Sequence, residues 1–364
     1  MAWTEPHGQR YRVRYRHAGR QITDGTFRTA EAAQARVGQL DHLNRAVQLR
    51  LTAPAPKLTE WTAAWLPAHL AGPATLAKYE SMLRCHILPA FGSRRLDAIT
   101  RTDVKAFARA LASDLAPVTV RSIVTVLGLV LREAIDEHYL LFDPTARLRL
   151  RDGPSEPRPT ATPDQVRRLA ARMPDLQTKL LVITAAYTGM RFGELAGLSR
   201  AHVHLDRALI HVAADTGALH EVAGDRWLGP PKTKAAVRDV RLPAFLVDGL
   251  ERLLRAHPYD TLFCTDAGRW LWRTTFIERT WRPACDGHPG HGWEPLVTGL
   301  RFHDLRHSHR TWMDEDGIAE PLKSQRLGHQ LPGIRGVYAH VTDPMHQPLL
   351  KALQNRWLDS GGHW

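Results

Sequence analysis

Six residues, spread in a fixed order along the second half of the chain, carry side chains that could act together on phosphorus. They are Arg191 in Thr188-Gly189-Met190-Arg191-Phe192-Gly193-Glu194-Leu195, Lys232 in Pro231-Lys232-Thr233-Lys234, His303 and Arg306 in His303-Asp304-Leu305-Arg306-His307, His329 in Leu327-Gly328-His329, and Tyr338 in Val337-Tyr338-Ala339-His340-Val341. A phenolate can form an ester with phosphorus and so split one hard step into two. A free tyrosine has a pKa near 10, so it needs nearby cations to favour the ionised form. The planar forks of arginine match the non-bridging oxygens of a phosphate in which negative charge builds up. Taken singly, each residue also has an ordinary reading: a solvated surface arginine, a satisfied structural histidine, a tyrosine used for packing. Their order and spacing argue for more, and His303 and Arg306, three apart, share one face of a helix.

Such residues need elements to hold them. Over 160–364 the pattern predicts a mixed domain. Thr162-Pro163-Asp164-Gln165 is a helix start, with a threonine cap, proline in the first position and glutamine at the third. A helix through Thr178–Tyr187 stops at Thr188-Gly189. Strand-like segments follow at Leu209–Val212, Val237–Leu242 and Thr261–Cys264, with Lys232 between two of them on an expected hairpin. Helices are expected over Phe276–Cys285, His303–Asp314, Pro321–Leu327 and near Pro348–Trp357.

Upstream, the alternating prolines of Thr52-Ala53-Pro54-Ala55-Pro56 and Asp152-Gly153-Pro154-Ser155-Glu156-Pro157-Arg158-Pro159 bar helix and inner strand and read as linkers. Between them, 57–150 reads as all-helical, with helices over Thr59–Leu70, Thr75–Ile87, Thr102–Asp114 and Pro117–Tyr139; Lys78 and Arg121 are among its scattered basic residues and are expected to meet DNA if the segment binds it. Before the first linker, Tyr11, Val13 and Tyr15 alternate with Arg12, Arg14 and Arg16, the period of a half-buried strand, and Thr29–Leu51 is helical by composition. An arginine-lined strand could lie in a DNA groove or could be an edge kept soluble by its charge. The expected architecture is mainly α with small β-sheets, in three domains: 1–51, 57–150 and 160–364.

The whole-chain numbers agree. At about 150 residues per domain, 364 residues suggest two or three. With 43% apolar and 24% charged residues the chain is neither wholly disordered nor collagen-like. No apolar run approaches the roughly 18–20 residues of a membrane span, and the N-terminus lacks the apolar core of a secretion signal. The three cysteines, Cys85, Cys264 and Cys285, do not suggest a disulfide framework and fit a reducing cytoplasm. A net charge of +12 and a pI near 10.0 favour a polyanionic partner, nucleic acid first. Residues 1–50 are the most basic per residue, with 9 Lys/Arg against 4 Asp/Glu, a net +5.

The motifs TGMRFGEL, HDLRHSH, LGH and YAHV, in this order, resemble those of the tyrosine recombinase (phage integrase) family. The resemblance covers nearly the whole chain and is most secure over 160–345. It implies a site-specific recombinase of the mobile-element integrase type, which integrates or excises a phage or other element. Tyr338 would be the nucleophile, leaving a 3′-phosphotyrosyl link and a free 5′-hydroxyl. Arg191 and Arg306 would hold the phosphate, His303 would serve in general acid/base duty, and His329 would hydrogen-bond the scissile phosphate. Lys232 matches the lysine that protonates the leaving oxygen, although Lys234 is two residues away and could take that part or contact DNA. Residues 1–51 would bind arm sites, and 57–150 (the core-binding, SAM-like domain) would clamp duplex DNA together with 160–345. Four protomers would assemble on two attachment sites, with the segment near Pro348–Trp357 packing against a neighbour, and with an excisionase or host DNA-bending protein as a further partner, in the cytoplasm on the nucleoid.

The family's chemistry needs no metal, cofactor or ATP, and no phosphate-binding loop of the G-x-x-x-x-G-K-[ST] type occurs. Cys285, His288 and His291 lie within seven residues, but their glycine-rich surroundings and the lack of a Cys-x-x-Cys point to a loop rather than a metal site. Two positions depart from the family pattern. Pro332 and Gly333 would interrupt a helix, so the segment carrying Tyr338 is expected to be irregular. Arg310, where a small residue is common, would add a charge facing DNA, and Asp304 is expected to cap its helix. A recombinase-derived DNA-binding protein without cleavage and a type IB topoisomerase-like relaxing enzyme are the alternative functions.

Overall fold

A computed structural model describes residues 2–17, 20–52, 54–151, 153, 158–330 and 340–363, and within 16–20 and 42–52 the backbone alone. The chain divides into two compact units, Met1–Ser155 and Glu156–Trp364.

The first unit opens with an antiparallel sheet in the order β1 (Ala2–His7), β2 (Arg10–His17), β3 (Arg20–Phe27), followed by helix α1 (Ala30–Thr52). The alternation in β2 is expressed as expected. Val13 is fully buried with Ala33 and Val37 of α1, and Tyr11, Tyr15 and Phe27 flank them. β1, which the sequence pattern does not reveal because Glu5 and Pro6 interrupt it, completes the sheet and pairs Glu5 with Arg12. Two of the row's arginines share a counter-charge: Glu5 lies 3.6 Å from the Arg12 guanidinium and 3.4 Å from that of Arg14.

The rest of this unit is helical: α2 (Leu58–Ala68), α3 (Pro73–Met82), α4 (Leu88–Phe91), α5 (Arg101–Leu111) and α6 (Pro117–Asp136). The expected single helix over Thr75–Ile87 is realised as α3 running through a π-turn, Leu83–Ile87, into α4. The π-turn absorbs Pro89, whose missing N–H cannot serve the α-helical ladder. α5 begins one residue earlier than expected, with Thr100 as its cap accepting the Asp103 N–H. The apolar face of α6 (Ile123, Leu127, Val130, Leu131) is the centre of this core. Two tryptophans pin α2 to it: Trp61 donates to the Val130 carbonyl at 3.0 Å and Trp65 to Glu133 at 2.6 Å. Lys78 on α3 and Arg121 on α6 are exposed.

The second unit is built on α8 (Leu176–Thr188), buried along nearly its whole length. α7 (Pro163–Ala171) starts at the expected Thr162 capping box, and Asp175 caps α8 by accepting the Thr178 N–H at 2.7 Å. A three-stranded antiparallel sheet, β4 (Val203–His204), β5 (Leu209–Val212) and β8 (Arg238–Arg241), lies alongside. The expected strands at 209–212 and 237–242 do pair, Ile210 opposite Val240. Between them, however, stands a hairpin of its own, β6 (Ala218–Val222) with β7 (Asp225–Gly229), so Lys232 sits on the segment leaving that hairpin rather than on a loop joining β5 to β8. Thr261–Cys264 is not a strand; it forms isolated bridges from Thr261 to Ser199 and from Cys264 to Trp270.

α10 (Ala244–Ala256), α11 (Arg273–Phe276), α12 (Arg282–Asp286), α13 (Asp304–Glu315), α14 (Glu320–Leu327) and α15 (Asp343–Asp359) complete the unit. Leu349, Leu353 and Trp357 lie on one face of α15 and are buried in this chain's own core, where Trp357 stacks on Phe245 at 4.5 Å. Spacing of four buries this apolar face in the chain's own core, and Arg356 fastens the helix to Asp316 at 2.7 Å. No helix among the described residues is long and apolar enough to cross a membrane.

Candidate functional site

Four of the expected site residues converge where α8, α13 and α14 meet. α8 ends at Gly189 in the left-handed conformation, φ +66°, and a Cβ there would lie 2.6 Å from Leu327 and 2.9 Å from His309. Glycine therefore serves both the turn and the close approach. The turn releases the Gly189 carbonyl, which accepts Arg306 Nη1 at 2.6 Å. α14 ends in the same way at Gly328, φ +63°, so the Leu327 carbonyl accepts Arg306 Nη2 and the chain then turns His329 back, with Nε2 2.9 Å from the same Nη2. With three of its five N–H groups engaged by described residues, the buried Arg306 fork keeps two for an incoming anion. A neutral His329 whose Nε2 accepts carries its proton on Nδ1.

Arg191 stands just ahead of α9 (Phe192–Ala196). Its Nη1 donates to Glu194 at 2.7 Å, and its own N–H is capped by the same carboxylate at 3.1 Å. Glu194 is buried and also receives Arg238 Nη2 at 3.0 Å. Burial alone would raise the Glu194 carboxyl; Arg238 and Arg191 outweigh that and hold it below the usual range. The site is nonetheless short of negative charge. Burial first, then Arg191 and Arg238, push the Arg306 guanidinium down to about 9. His303 is pushed down to about 4 by desolvation and then by Arg306, His307 and Arg191, and His329 is lowered by desolvation and then by Arg306, Arg191, Arg310 and Arg238. Both imidazoles are thus neutral near pH 7, and the pocket stabilises any anion that enters it.

His303 directly precedes α13 and stands three residues before the buried Arg306, a spacing that puts the two on one side of the helix. Asp304 is the first residue of α13 and not its cap: no side chain caps this helix, and the Asp304 carboxylate instead accepts the N–H of Arg301, ahead of the helix, at 2.9 Å and lies 3.4 Å from Arg158. Lys232 and Lys234 are both exposed. The segment they occupy returns to the site at once, since a Cβ on Gly328 would lie 2.8 Å from Ala236 Cα. Four residues of chain reach at most about 14 Å. Tyr338, with Pro332 and Gly333, lies outside the described residues.

Arg310 is drawn into ion pairs. Its guanidinium is tied down by Glu320 at 2.6 Å and 3.0 Å and by Asp314 at 3.1 Å, because α14 brings Glu320 to within reach of α13. Among Cys285, His288 and His291, the thiol is buried and pushed up to about 12 by that burial and by Asp286, while His291 stacks on Trp293 at 4.4 Å. No cluster of three or more metal-ligating side chains occurs among the described residues.

The sequence reading missed a layer of buried cations. Arg238 donates to Glu194 and to the Arg326 carbonyl at 2.7 Å. Arg326 donates to His309 Nε2 and to the carbonyls of Arg241 and Tyr187, each at 2.8 Å. Composition gives no sign of this, because arginine is read as a surface residue. The one usable signal is position: Arg326 directly precedes the LGH motif, and His309 is the last residue of HDLRHSH.

Residues 160–345 match the phage integrase family, and 58–112 match the phage integrase N-terminal SAM-like domain. A prophage phiRv2 integrase of Mycobacterium tuberculosis is 27% identical over 302 residues, covering 79% of this chain and 75% of its own length. The integrase of Mycobacterium phage L5 is 24% identical over 315 residues, covering 84% and 80%. Among solved structures, the Tn1549 transposon integrase in complex with a circular intermediate DNA superposes with a TM-score of 0.65 at 18% identity, over 82% of this chain and 99% of that one. A lambda integrase tetramer bound to a Holliday junction gives 0.59 at 16% identity, over 93% and 98%. At such identities the structural likeness speaks to the fold.

Proposed function

The chain belongs to the phage integrase family and is a site-specific tyrosine recombinase, and from that premise we propose that the pocket around Arg306 grips the scissile phosphate while Tyr338 attacks it. The observation that carries this is the charge imbalance: Arg191, Arg238 and Arg306 are gathered around a single buried carboxylate, Glu194. A phosphate dianion-like transition state supplies the missing negative charge, and pre-aimed guanidinium donors stabilise it without reorganising.

In this reading the Tyr338 oxygen bonds to phosphorus and the bond to the 5′-oxygen breaks. Lys232 gives that oxygen its proton, His303 assists the proton traffic on the tyrosine side, and His329 donates from Nδ1 to a non-bridging oxygen. The energy of the broken bond is kept in the phosphotyrosyl ester for rejoining. Residues 160–364 are the catalytic domain, 57–150 the core-binding domain and 1–51 the arm-binding domain. Arg12, Arg14, Arg16, Lys78, Arg121 and Lys234 are the first candidates for DNA contacts. Relatives titled as integrases of phages and a transposon, and one seen as a tetramer on a Holliday junction, support an element-borne integrase that works as a tetramer on duplex attachment sites, on the nucleoid.

The test is a nicked duplex carrying the attachment site, run on a denaturing gel after incubation with the protein. A covalent adduct that Tyr338→Phe loses is expected. Binding without any adduct in the wild type would sink the reading, and relaxation of arbitrary supercoiled plasmid would favour a topoisomerase-like enzyme. Removing residues 1–51 is expected to weaken arm-site binding and leave core cleavage measurable.

A further inference from the structure

The β6–β7 hairpin pairs with no other strand among the described residues. Two-stranded ribbons are marginal alone, so what clasps this one fixes where its end points. On one side, Gly193 of α9 and Gly197 at its C-terminal cap let its backbone come close; a Cβ on them would lie 2.7 Å and 2.6 Å, respectively, from Leu219 main-chain atoms. On the other side, Arg226 of β7 donates to the Trp270 carbonyl at 2.5 Å and lies 3.7 Å from the centre of the Trp272 ring. Beside it, Glu221 accepts the Arg273 N–H at 3.0 Å.

The outgoing chain is stiff. His220 Nε2 is 2.9 Å from the Pro230 carbonyl, and Pro230 and Pro231 follow in succession with φ fixed. Lys232 comes next, so the hairpin's attitude passes to it with little slack. We propose that Arg226, seated on Trp272, is a positioning residue for Lys232: it sets the approach of the ammonium group to the leaving 5′-oxygen. This rests on Lys232 being the proton donor.

A substrate whose bridging 5′-oxygen is replaced by sulfur separates the two claims, because a thiolate departs without a proton. With the ordinary substrate, Lys232→Ala is expected to slow cleavage by about 10²–10³-fold, in the range of a general acid. Arg226→Ala and Trp272→Ala are expected to slow it by roughly 10–10²-fold, as a misplaced group does, with core-site affinity unchanged and Trp272→Phe near wild type. With the sulfur substrate all three alanine variants should return to within a few-fold of the wild type. If Lys232→Ala stays slow on sulfur, the proton-donor reading falls and this inference with it. If Lys232→Ala is rescued while Arg226→Ala is slow on both substrates, or fast on both, Arg226 does not position Lys232.

Discussion

Arg306 and Lys232 differ in how they are held. Arg306 is buried, its fork fixed by two main-chain carbonyls and an imidazole. Lys232 is exposed, at the end of a hairpin clasped several residues away. The difference fits the chemistry proposed for each. Charge stabilisation works through donors already aimed before the reaction. A proton donor has to meet a leaving atom that DNA brings with it, so it is carried on an element that can be aimed as a whole.

The contrast can be broken most severely at Arg306. Arg306→Lys is expected to lower the cleavage rate by about 10²–10³-fold, the cost of losing a preorganised donor, and to lower the melting temperature as well, because two buried carbonyls lose a partner. A single-turnover cleavage assay with a thermal melt checks both; normal cleavage would erase the distinction. Glu194→Gln comes next. It leaves Arg191 and Arg238 without their shared counter-charge, and destabilisation of about 3 kcal/mol is expected from breaking a buried ionic cluster, read by denaturant unfolding.

Acid probes the same buried layer. His309 is fully buried and held well below 6.5 by desolvation and then by Arg326, with Arg306 and Arg356 adding to it. A histidine whose folded pKa is depressed binds its proton more readily in the unfolded chain. Stability is therefore complete above the unfolded value near 6.5 and falls as pH drops below it, with a slope of up to about 1.4 kcal/mol per pH unit for one group. Melts between pH 7 and pH 5 should show the decline, and His309→Gln, which keeps an acceptor for Arg326 and does not titrate, should flatten it. The smallest effect is expected at Arg310. Its guanidinium is already paired with Glu320 and Asp314, so Arg310→Ala should change DNA affinity less than twofold and stability by no more than about 1 kcal/mol. A large drop in binding would restore it as a DNA contact.

Most of the pocket was legible because its parts are short-range. His303 and Arg306 are placed by helical spacing, and Gly189 and Gly328 announce the helix ends that deliver their partners. The hairpin around Lys232 was not legible. Ala218–Val222 and Asp225–Gly229 are brief and mix charge with aromatics, and their stability comes from residues 193, 197, 270 and 272, far off in sequence. α10 shows the opposite failure: its helical period, with Phe245, Leu246, Leu250 and Leu253 buried, was present in the sequence and went unassigned. An apolar stripe such as that of α15 says that a helix is covered without saying by whom.

Arg306 joins the loops that end α8 and α14, and both of its carbonyl partners come from those loops. The group proposed to grip phosphate is therefore also a rivet between distant stretches of chain. In that reading, a nascent or damaged polypeptide in which those ends have not met owns no site, and assembly of the catalytic unit is itself the safety catch on its reactivity.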